Sequence, residues 1–149
     1  MKYKNILMKR LLVLCILWLG GLTLVNGQMK FPAGPVTVKK IWDSADYNSF
    51  TDLIRFRGAF YCAFREGSSH VSDKNDGHLR VLTSRDGIKW QSVALLKTDG
   101  LDLRDPKLSV TPDQRIMVTT AGAVFDAHLK AQKLFPMVSF SDNEGRNFS

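Results

Sequence analysis

The chain reads SRDGIKW from Ser84 to Trp90 and SDNEGRNF from Ser141 to Phe148, so a short polar turn that closes on an aromatic residue occurs twice. In such a turn an Asp or Asn side chain can accept backbone N–H groups, a glycine can take a positive φ, and the closing ring can pack between sheets. The copies begin 57 residues apart, at Ser84 and Ser141. That spacing predicts one repeated unit of about four strands.

Short β-rich runs bounded by turn residues fill the chain after residue 35, and helical periodicity is almost absent there. Eight runs predict strands. They are Val36–Trp42, Leu53–Phe56, Phe60–Phe64, Leu79–Thr83, Trp90–Leu96, Lys107–Val110, Ile116–Thr120 and Met137–Phe140. The sequence therefore predicts an all-β fold in which short turns join neighbouring strands.

The two turns resemble the Asp box of sialidases and related β-propellers, Ser/Thr-x-Asp-(x)-Gly-x-Thr-Trp/Phe, in which one position is optional. The copy at Ser84–Trp90 matches the compact form, whereas the second copy has Asn143 at the Asp position and Asn147 at the Thr position. The resemblance implies a sialidase-like six-bladed β-propeller, of which this chain holds only about two blades. In that family each box lies between the third and fourth strands of a blade.

With the boxes as markers, the predicted strands fall into two sheets. The runs from Leu53 to Leu96 make one four-stranded sheet, and the runs from Lys107 to Phe140 make three strands of a second. We therefore expect a first blade at about residues 52–96 and an incomplete second blade at about residues 105–149. Two sheets do not close a ring, so the chain is expected to be part of a longer protein.

The first 27 residues are typical of a secretory signal peptide. Met1–Arg10 carries four basic residues and no acid, Leu11–Val25 is mostly apolar but short for a membrane span, and Gly27 offers a small residue at the cleavage point. We expect export to the periplasm, the cell surface or the medium, with no stable membrane insertion after cleavage. A retained N-terminal anchor is the alternative.

Removal of this segment lowers the formal charge of the chain. The 21 Lys and Arg residues against 14 Asp and Glu become 17 against 14, so the net charge falls from +7 to +3. The remaining basic residues are interspersed with acids. This pattern disfavours nucleic acid as a partner.

Neither a disulfide nor a metal site is predicted. Cys62 is the sole cysteine after residue 27 and lies in the apolar run Phe60–Phe64, which is typical of a small buried hydrophobe. His70 and His78 have no third ligand at a metal-like spacing. We predict no metal and no cofactor.

The sialidase resemblance implies candidate site residues. Arg65, at the end of an apolar run, and Arg104, at the start of the second blade, are candidates for substrate binding. Asp105 would orient Arg104 or hydrogen-bond a sugar hydroxyl. Asp76 takes the position of the catalytic acid/base, which must protonate the departing glycosidic oxygen.

Each of these candidates has a structural alternative. Arg65 could be a solvated or ion-paired arginine at a strand end, and Asp76 with Gly77 could be a turn. Arg104 and Asp105 could pair with each other to fix the start of a strand ahead of a proline. The sequence leaves these alternatives open.

Two departures from the family bear on activity. Phe50–Leu53 reads FTDL where the family has Phe-Arg-Ile-Pro, so the arginine that binds the sialic acid carboxylate is replaced by Thr51. The family nucleophile, a Tyr activated by a Glu, lies in later blades and has no counterpart here.

The resemblance implies an intact parent that is an exo-glycoside hydrolase, removing terminal sialic acid or a related sugar from a glycan substrate. This portion is expected to be inactive by itself. One alternative is a noncatalytic propeller that binds carbohydrate or protein. The other is an exo-glycosidase for a sugar without a carboxylate, since Thr51 stands in the place of the carboxylate-binding arginine.

Overall fold

The computed structural model describes residues 34–35, 37–141 and 143–149. The predicted signal peptide at residues 1–27 lies outside the described residues. Within them, no helix is both long and apolar enough to cross a bilayer.

Seven strands in the described residues form two antiparallel sheets. The first sheet contains, in order, β1 (Tyr47–Phe56), β2 (Ala59–Gly67), β3 (His78–Ser84) and β4 (Gln91–Leu96). The second contains β5 (Asp102–Val110), β6 (Ile116–Phe125) and β7 (Ala131–Ser141). The all-β prediction is confirmed, as is the division of the strands into one sheet of four and one sheet of three.

The strand predicted at Val36–Trp42 is wrong, because residues 37–42 belong to no strand; Val36 lies outside the described residues. The Trp42 ring instead packs against a buried cluster of Cys62, Phe64 and Leu82 on one face of the first sheet. Apolar residues that cover a sheet give the same local pattern as apolar residues that belong to one.

The two sheets pack face to face through alternate residues of their strands. Ala63, Leu79 and Val81 from the first sheet and Ile116 from the second are all 0% exposed. Burial of each large apolar side chain in such a cluster contributes about 1.5–3 kcal/mol. The opposite face of β2 carries Cys62, whose thiol pKa is raised to about 11 by burial and by the negative charge of Asp52, as expected of a structural cysteine.

The first repeated turn, Ser84–Trp90, connects β3 to β4. Asp86 Oδ1 accepts hydrogen bonds from the backbone N–H groups of Ile88 and Lys89, both at 2.8 Å. The N–H of Gly87 donates to the Ser84 hydroxyl at 2.9 Å, and Gly87 has a φ of 71°. The predicted role of the carboxylate in organising the turn is therefore confirmed.

The second turn keeps two of these three backbone hydrogen bonds despite its altered sequence. The N–H of Gly145 donates to the Ser141 hydroxyl at 2.9 Å, and Asn143 Oδ1 accepts the N–H of Asn147 at 2.9 Å. Gly145 has a φ of 79°, close to that of its counterpart in the first turn. Asn143 thus replaces an aspartate without loss of the turn, because a side-chain amide oxygen accepts N–H groups as a carboxylate does.

After each turn the chain pairs back on the strand before it. Gln91 is the register partner of Thr83 after the first turn. After the second, Phe140 and Ser149 exchange two backbone hydrogen bonds, at 2.9 and 3.0 Å. The two turns therefore occupy equivalent corners of the two sheets.

The Asp86 carboxylate should make the first turn sensitive to acid. Hydrogen bonds from the N–H groups of Lys89 and Ile88 hold its pKa below the ordinary value of 3.8. A carboxyl group with a depressed folded-state pKa stabilises the fold above its unfolded-state pKa, and this contribution is lost as the pH falls through the folded-state pKa. We expect Asp86→Asn to keep the turn and to lose less stability than the wild-type protein when the pH falls below about 4. Urea unfolding at pH 7 and at acidic pH measures this.

Asp99→Asn, an exposed substitution outside both turns, is the matched control and should follow the wild-type pH dependence. Equal acid sensitivity of the wild-type protein and Asp86→Asn would contradict the role given to this carboxylate.

Candidate functional site

A buried ion pair joins the two sheets at one end of their interface. Arg65, near the end of β2, donates from Nε to Asp102 Oδ1 at 2.8 Å and from Nη2 to Asp102 Oδ2 at 2.6 Å. Both side chains are 0% exposed. The third nitrogen, Nη1, donates to the backbone oxygen of Ser69 at 2.8 Å. Of the two alternatives for Arg65, the structure shows the ion pair, while its role in ligand binding stays a prediction.

Two glycines leave the space that this ion pair fills. A Cβ at Gly77 would lie 2.3 Å from Asp102 Oδ1 and 2.6 Å from Arg65 Nε, and a Cβ at Gly67 would lie 2.9 Å from Arg65 Nη1. The turn in the intervening loop lies at residues 73–74, ahead of Gly77. The turn alternative for Asp76 and Gly77 is therefore wrong, because the glycine is needed for close approach of side chains and not for chain reversal.

Arg104, on β5, is held between two aromatic rings. Its guanidinium carbon lies 5.5 Å from the centroid of Phe50 and 5.3 Å from that of Phe125. Nη1 donates to the backbone oxygen of His70 at 3.1 Å and lies 3.7 Å from Asp102 Oδ1. Arg104 is 8% exposed. Asp102, which already pairs with Arg65, therefore also lies near this second guanidinium. The stem and head of Arg104 are packed among apolar and backbone groups.

The predicted pairing of Arg104 with Asp105 is wrong. Asp102 and Arg104 are two residues apart on a strand and therefore share a face, whereas Asp105 is exposed at an irregular position of β5. The acid beside the arginine is Asp102. Binding of a sugar hydroxyl by Asp105 stays a prediction.

The first strand of each sheet carries a bulge at the same place. The register shifts at Ser49–Asp52 in β1 and at Arg104–Lys107 in β5. In each bulge a residue other than glycine takes a positive φ, 58° at Phe50 and 50° at Asp105. Such a conformation costs on the order of 1–3 kcal/mol and is concentrated at functional sites.

An aromatic and imidazole cluster surrounds the β1 bulge. The Tyr47 hydroxyl lies 2.9 Å from His70 Nδ1, and the two ring centroids are 5.7 Å apart in an edge-to-face arrangement. The Phe50 ring lies 5.5 Å from the His70 ring. His70 is exposed, and Tyr47 and Phe50 are half-buried. We did not predict this cluster. A signal for it was present in the sequence, because Tyr47 and Phe50 are three positions apart beside the segment that carries an arginine in the sialidase family.

The loop between β2 and β3 is fixed against the second sheet. Asn75 Oδ1 accepts the N–H of Phe125 at 2.7 Å, and Asn75 Nδ2 donates to the oxygen of the same residue at 3.1 Å. The N–H of Leu103 donates to the oxygen of Gly77 at 2.9 Å. The loop that carries His70 is therefore positioned by residues of both sheets.

Asp76, the predicted acid/base, is a half-buried carboxyl group in this loop. Partial burial would raise its pKa, but hydrogen bonds from Ser68 and the positive charge of Arg65 outweigh burial and hold the pKa below its ordinary value. A general acid needs a raised pKa so that it keeps its proton near neutral pH. The surroundings of Asp76 favour its charged form, and its catalytic role stays a prediction.

Comparison with known proteins informs the fold alone. No family model matches the chain, and no curated protein matches it. The chain is similar to a crystal structure of a protein of unknown function from Dyadobacter fermentans DSM 18053, with 20% sequence identity over 68% of this chain and a TM-score of 0.50. The chain spans 35% of that protein's length.

We expect Asp102→Ala to lower the free energy of unfolding by about 3–5 kcal/mol, because it leaves the charge of Arg65 buried without its partner. Gly77→Ala crowds the same ion pair and should also destabilise the protein. Urea unfolding followed by tryptophan fluorescence measures both effects.

The matched control is Asp43→Ala, which breaks the 2.7 Å ion pair of Lys40 with Asp43. Because the side chains of that pair are 69% and 63% exposed, the loss should be about 1 kcal/mol or less. Similar losses of unfolding free energy in Asp102→Ala and Asp43→Ala would show that the buried ion pair stabilises the protein no more than an exposed one.

Proposed function

We propose that this chain forms two successive blades of a sialidase-like β-propeller and that the intact protein is an exo-glycoside hydrolase acting on terminal sugars of glycans. The observation that carries the proposal is the repeated corner. Ser84–Trp90 and Ser141–Phe148 share two backbone-to-side-chain hydrogen bonds at equivalent positions of two sheets that pack face to face. Packed sheets of this kind, repeated in sequence, are the building plan of a propeller.

The sugar site of such a propeller would lie where the first strands of the blades come together. β1 and β5 are adjacent, since the N–H of Leu108 donates to Asp52 Oδ2 at 2.7 Å. At their bulges Phe50 and Arg104 come into contact, with the guanidinium carbon 5.5 Å from the ring centroid. The loop at residues 67–77 borders these strands and supplies His70 and Asp76. This end of the sheets is therefore our candidate site.

In this proposal the two arginines lie beside the site, and substrate binding by either stays a prediction. Arg65 is fully buried with Asp102, and Arg104 holds the backbone of His70. Protonation of the leaving group by Asp76 would require loss of the hydrogen bonds from Ser68 that now favour its charged form. The nucleophile would come from a part of the protein outside this chain.

The second candidate function is a noncatalytic propeller that binds carbohydrate. The lowered pKa of Asp76 favours it, because an ionised carboxylate accepts hydrogen bonds from sugar hydroxyls but donates no proton. Thr51 in place of the family's arginine is compatible with both candidates.

A fluorogenic assay separates the two functions. We expect the 149-residue chain by itself to release no 4-methylumbelliferone from α-sialosides or from neutral glycosides, and the intact protein to release it from at least one of them. In the active protein, Asp76→Asn should lower kcat by about 10²- to 10⁴-fold, because the general acid is removed. Asp73→Asn, an exposed substitution in the same loop, should leave kcat unchanged.

Binding of glycans without any release by the intact protein would favour the noncatalytic candidate. Turnover by the 149-residue chain alone, or a full rate in Asp76→Asn, would refute the assignment of roles given above.

A further inference from the structure

We infer that the cleft between the two repeated turns binds an organic oxyanion, that is, a phosphate, sulfate or carboxylate group carried on an apolar body. This site is separate from the candidate site described above and does not rest on the proposed function. Ala59, which lines the cleft, and Arg65, in the buried ion pair, lie near opposite ends of β2. Because a strand rises about 3.3 Å per residue, the two places are about 20 Å apart.

The cleft is a cavity of about 430 Å³ that both turns line. Arg85, Asp86 and Lys89 come from the first turn, and Glu144 and Arg146 come from the second. A volume of this size is typical of a site for a small molecule, since such sites measure about 300–1,000 Å³.

The second turn is held against the first sheet at this cleft. A Cβ at Gly145 would lie 3.2 Å from the Tyr61 ring, so the backbone of the turn packs directly on that ring. The neighbouring residues Glu144 and Arg146 are thereby fixed beside the first turn. The charged groups of the two turns therefore belong to one site, although 57 residues separate the starts of the turns at Ser84 and Ser141.

The basic side chains at the cleft are not used by the fold. Arg85, Lys89 and Arg146 make no side-chain hydrogen bond, ion pair or ring contact with any residue that the structure describes. All three are exposed to solvent. Guanidinium and ammonium groups that lack a protein partner are the usual ligands of oxyanions.

The acids of the cleft do not cancel these positive charges. Asp86 Oδ1 accepts hydrogen bonds from the N–H groups of Ile88 and Lys89 and from the Ser84 hydroxyl, so its carboxylate is already used within its own turn. Glu144 is the remaining acid, and its carboxylate has no partner among the described residues. Three basic residues against two acids leave a net positive charge, which attracts an anion.

The rest of the cleft wall favours an apolar body on the ligand. Ala59, Tyr61, Trp90 and Val93 line it. The Tyr61 side chain is 4% exposed, and Trp90 and Val93 are half-buried. A ligand with an apolar body covers this surface while the basic side chains bind its charged end.

Isothermal titration of the intact protein with phenyl phosphate, phenyl sulfate and benzoate tests the inference. Phenol and inorganic phosphate are the matched probes, because phenol lacks the charge and inorganic phosphate lacks the apolar body. We expect at least one of the three organic oxyanions to bind about tenfold or more tightly than both matched probes. Its Kd should rise when NaCl is raised from about 0.05 M to about 0.5 M, since salt screens exposed charges.

Substitutions at the cleft should act in opposite directions. Arg85→Gln and Arg146→Gln, one in each turn, should each weaken binding by about three- to tenfold, because each removes a charged donor. Glu144→Gln should tighten binding, because it removes the free acid. Lys133→Gln and Asp99→Asn are exposed substitutions outside the cleft and should leave Kd unchanged. Circular dichroism shows whether each variant keeps the wild-type fold.

Each part of the inference has an outcome that would overturn it. Equally tight binding of phenol would overturn the role of the basic residues, and equally tight binding of inorganic phosphate would overturn the role of the apolar wall. Weaker or unchanged binding in Glu144→Gln would overturn the location of the site. Absence of binding by all three organic oxyanions would overturn the inference as a whole and leave the proposed function standing.

Discussion

The buried ion pair between Arg65 and Asp102 is the constraint on which the arrangement of the two sheets depends. Burial of two charges costs several kcal/mol per ion, and their attraction offsets that cost only when the geometry is good and the remaining donors are hydrogen-bonded. Here the contact is bidentate, Ser69 accepts the third guanidinium nitrogen, and Gly67 and Gly77 leave the necessary space. A shift of one sheet against the other would leave a buried charge unpaired, so the pair specifies a single register between them.

The loop between β2 and β3 takes its shape from the same network. Its backbone is bound by Arg65 at Ser69 and by Arg104 at His70, and the Asn75 side chain attaches it to the end of β6. The strongest charges at this end of the molecule are therefore used for architecture. An arginine at the end of a strand is therefore weak support for anion binding until the partners of its guanidinium are known.

Features encoded by local pattern could be predicted from the sequence, whereas features set by distant contacts could not. Turn residues and the alternation of apolar with polar residues were enough to predict both sheets and both hairpin corners. These features depend on residues that are close together along the chain. Trp42 was misassigned because covering a sheet and joining it look alike locally. Alternation along β5 could have identified Asp102 as the acid on the face of Arg104. The positive φ of Phe50 could not be predicted from the sequence. Phenylalanine rarely adopts this conformation by itself, so packing from outside its own strand imposes it.

The paired bulges have a consequence for how specificity could diverge. Ser49 and Arg104 each stand immediately before the residue with positive φ, so one backbone frame accommodates a small hydroxyl in one sheet and a guanidinium in the other. The bulged backbone therefore has the same conformation with either side chain. Point substitutions at such positions could therefore change the side chain displayed there while strand pairing, corners and core remain as they are.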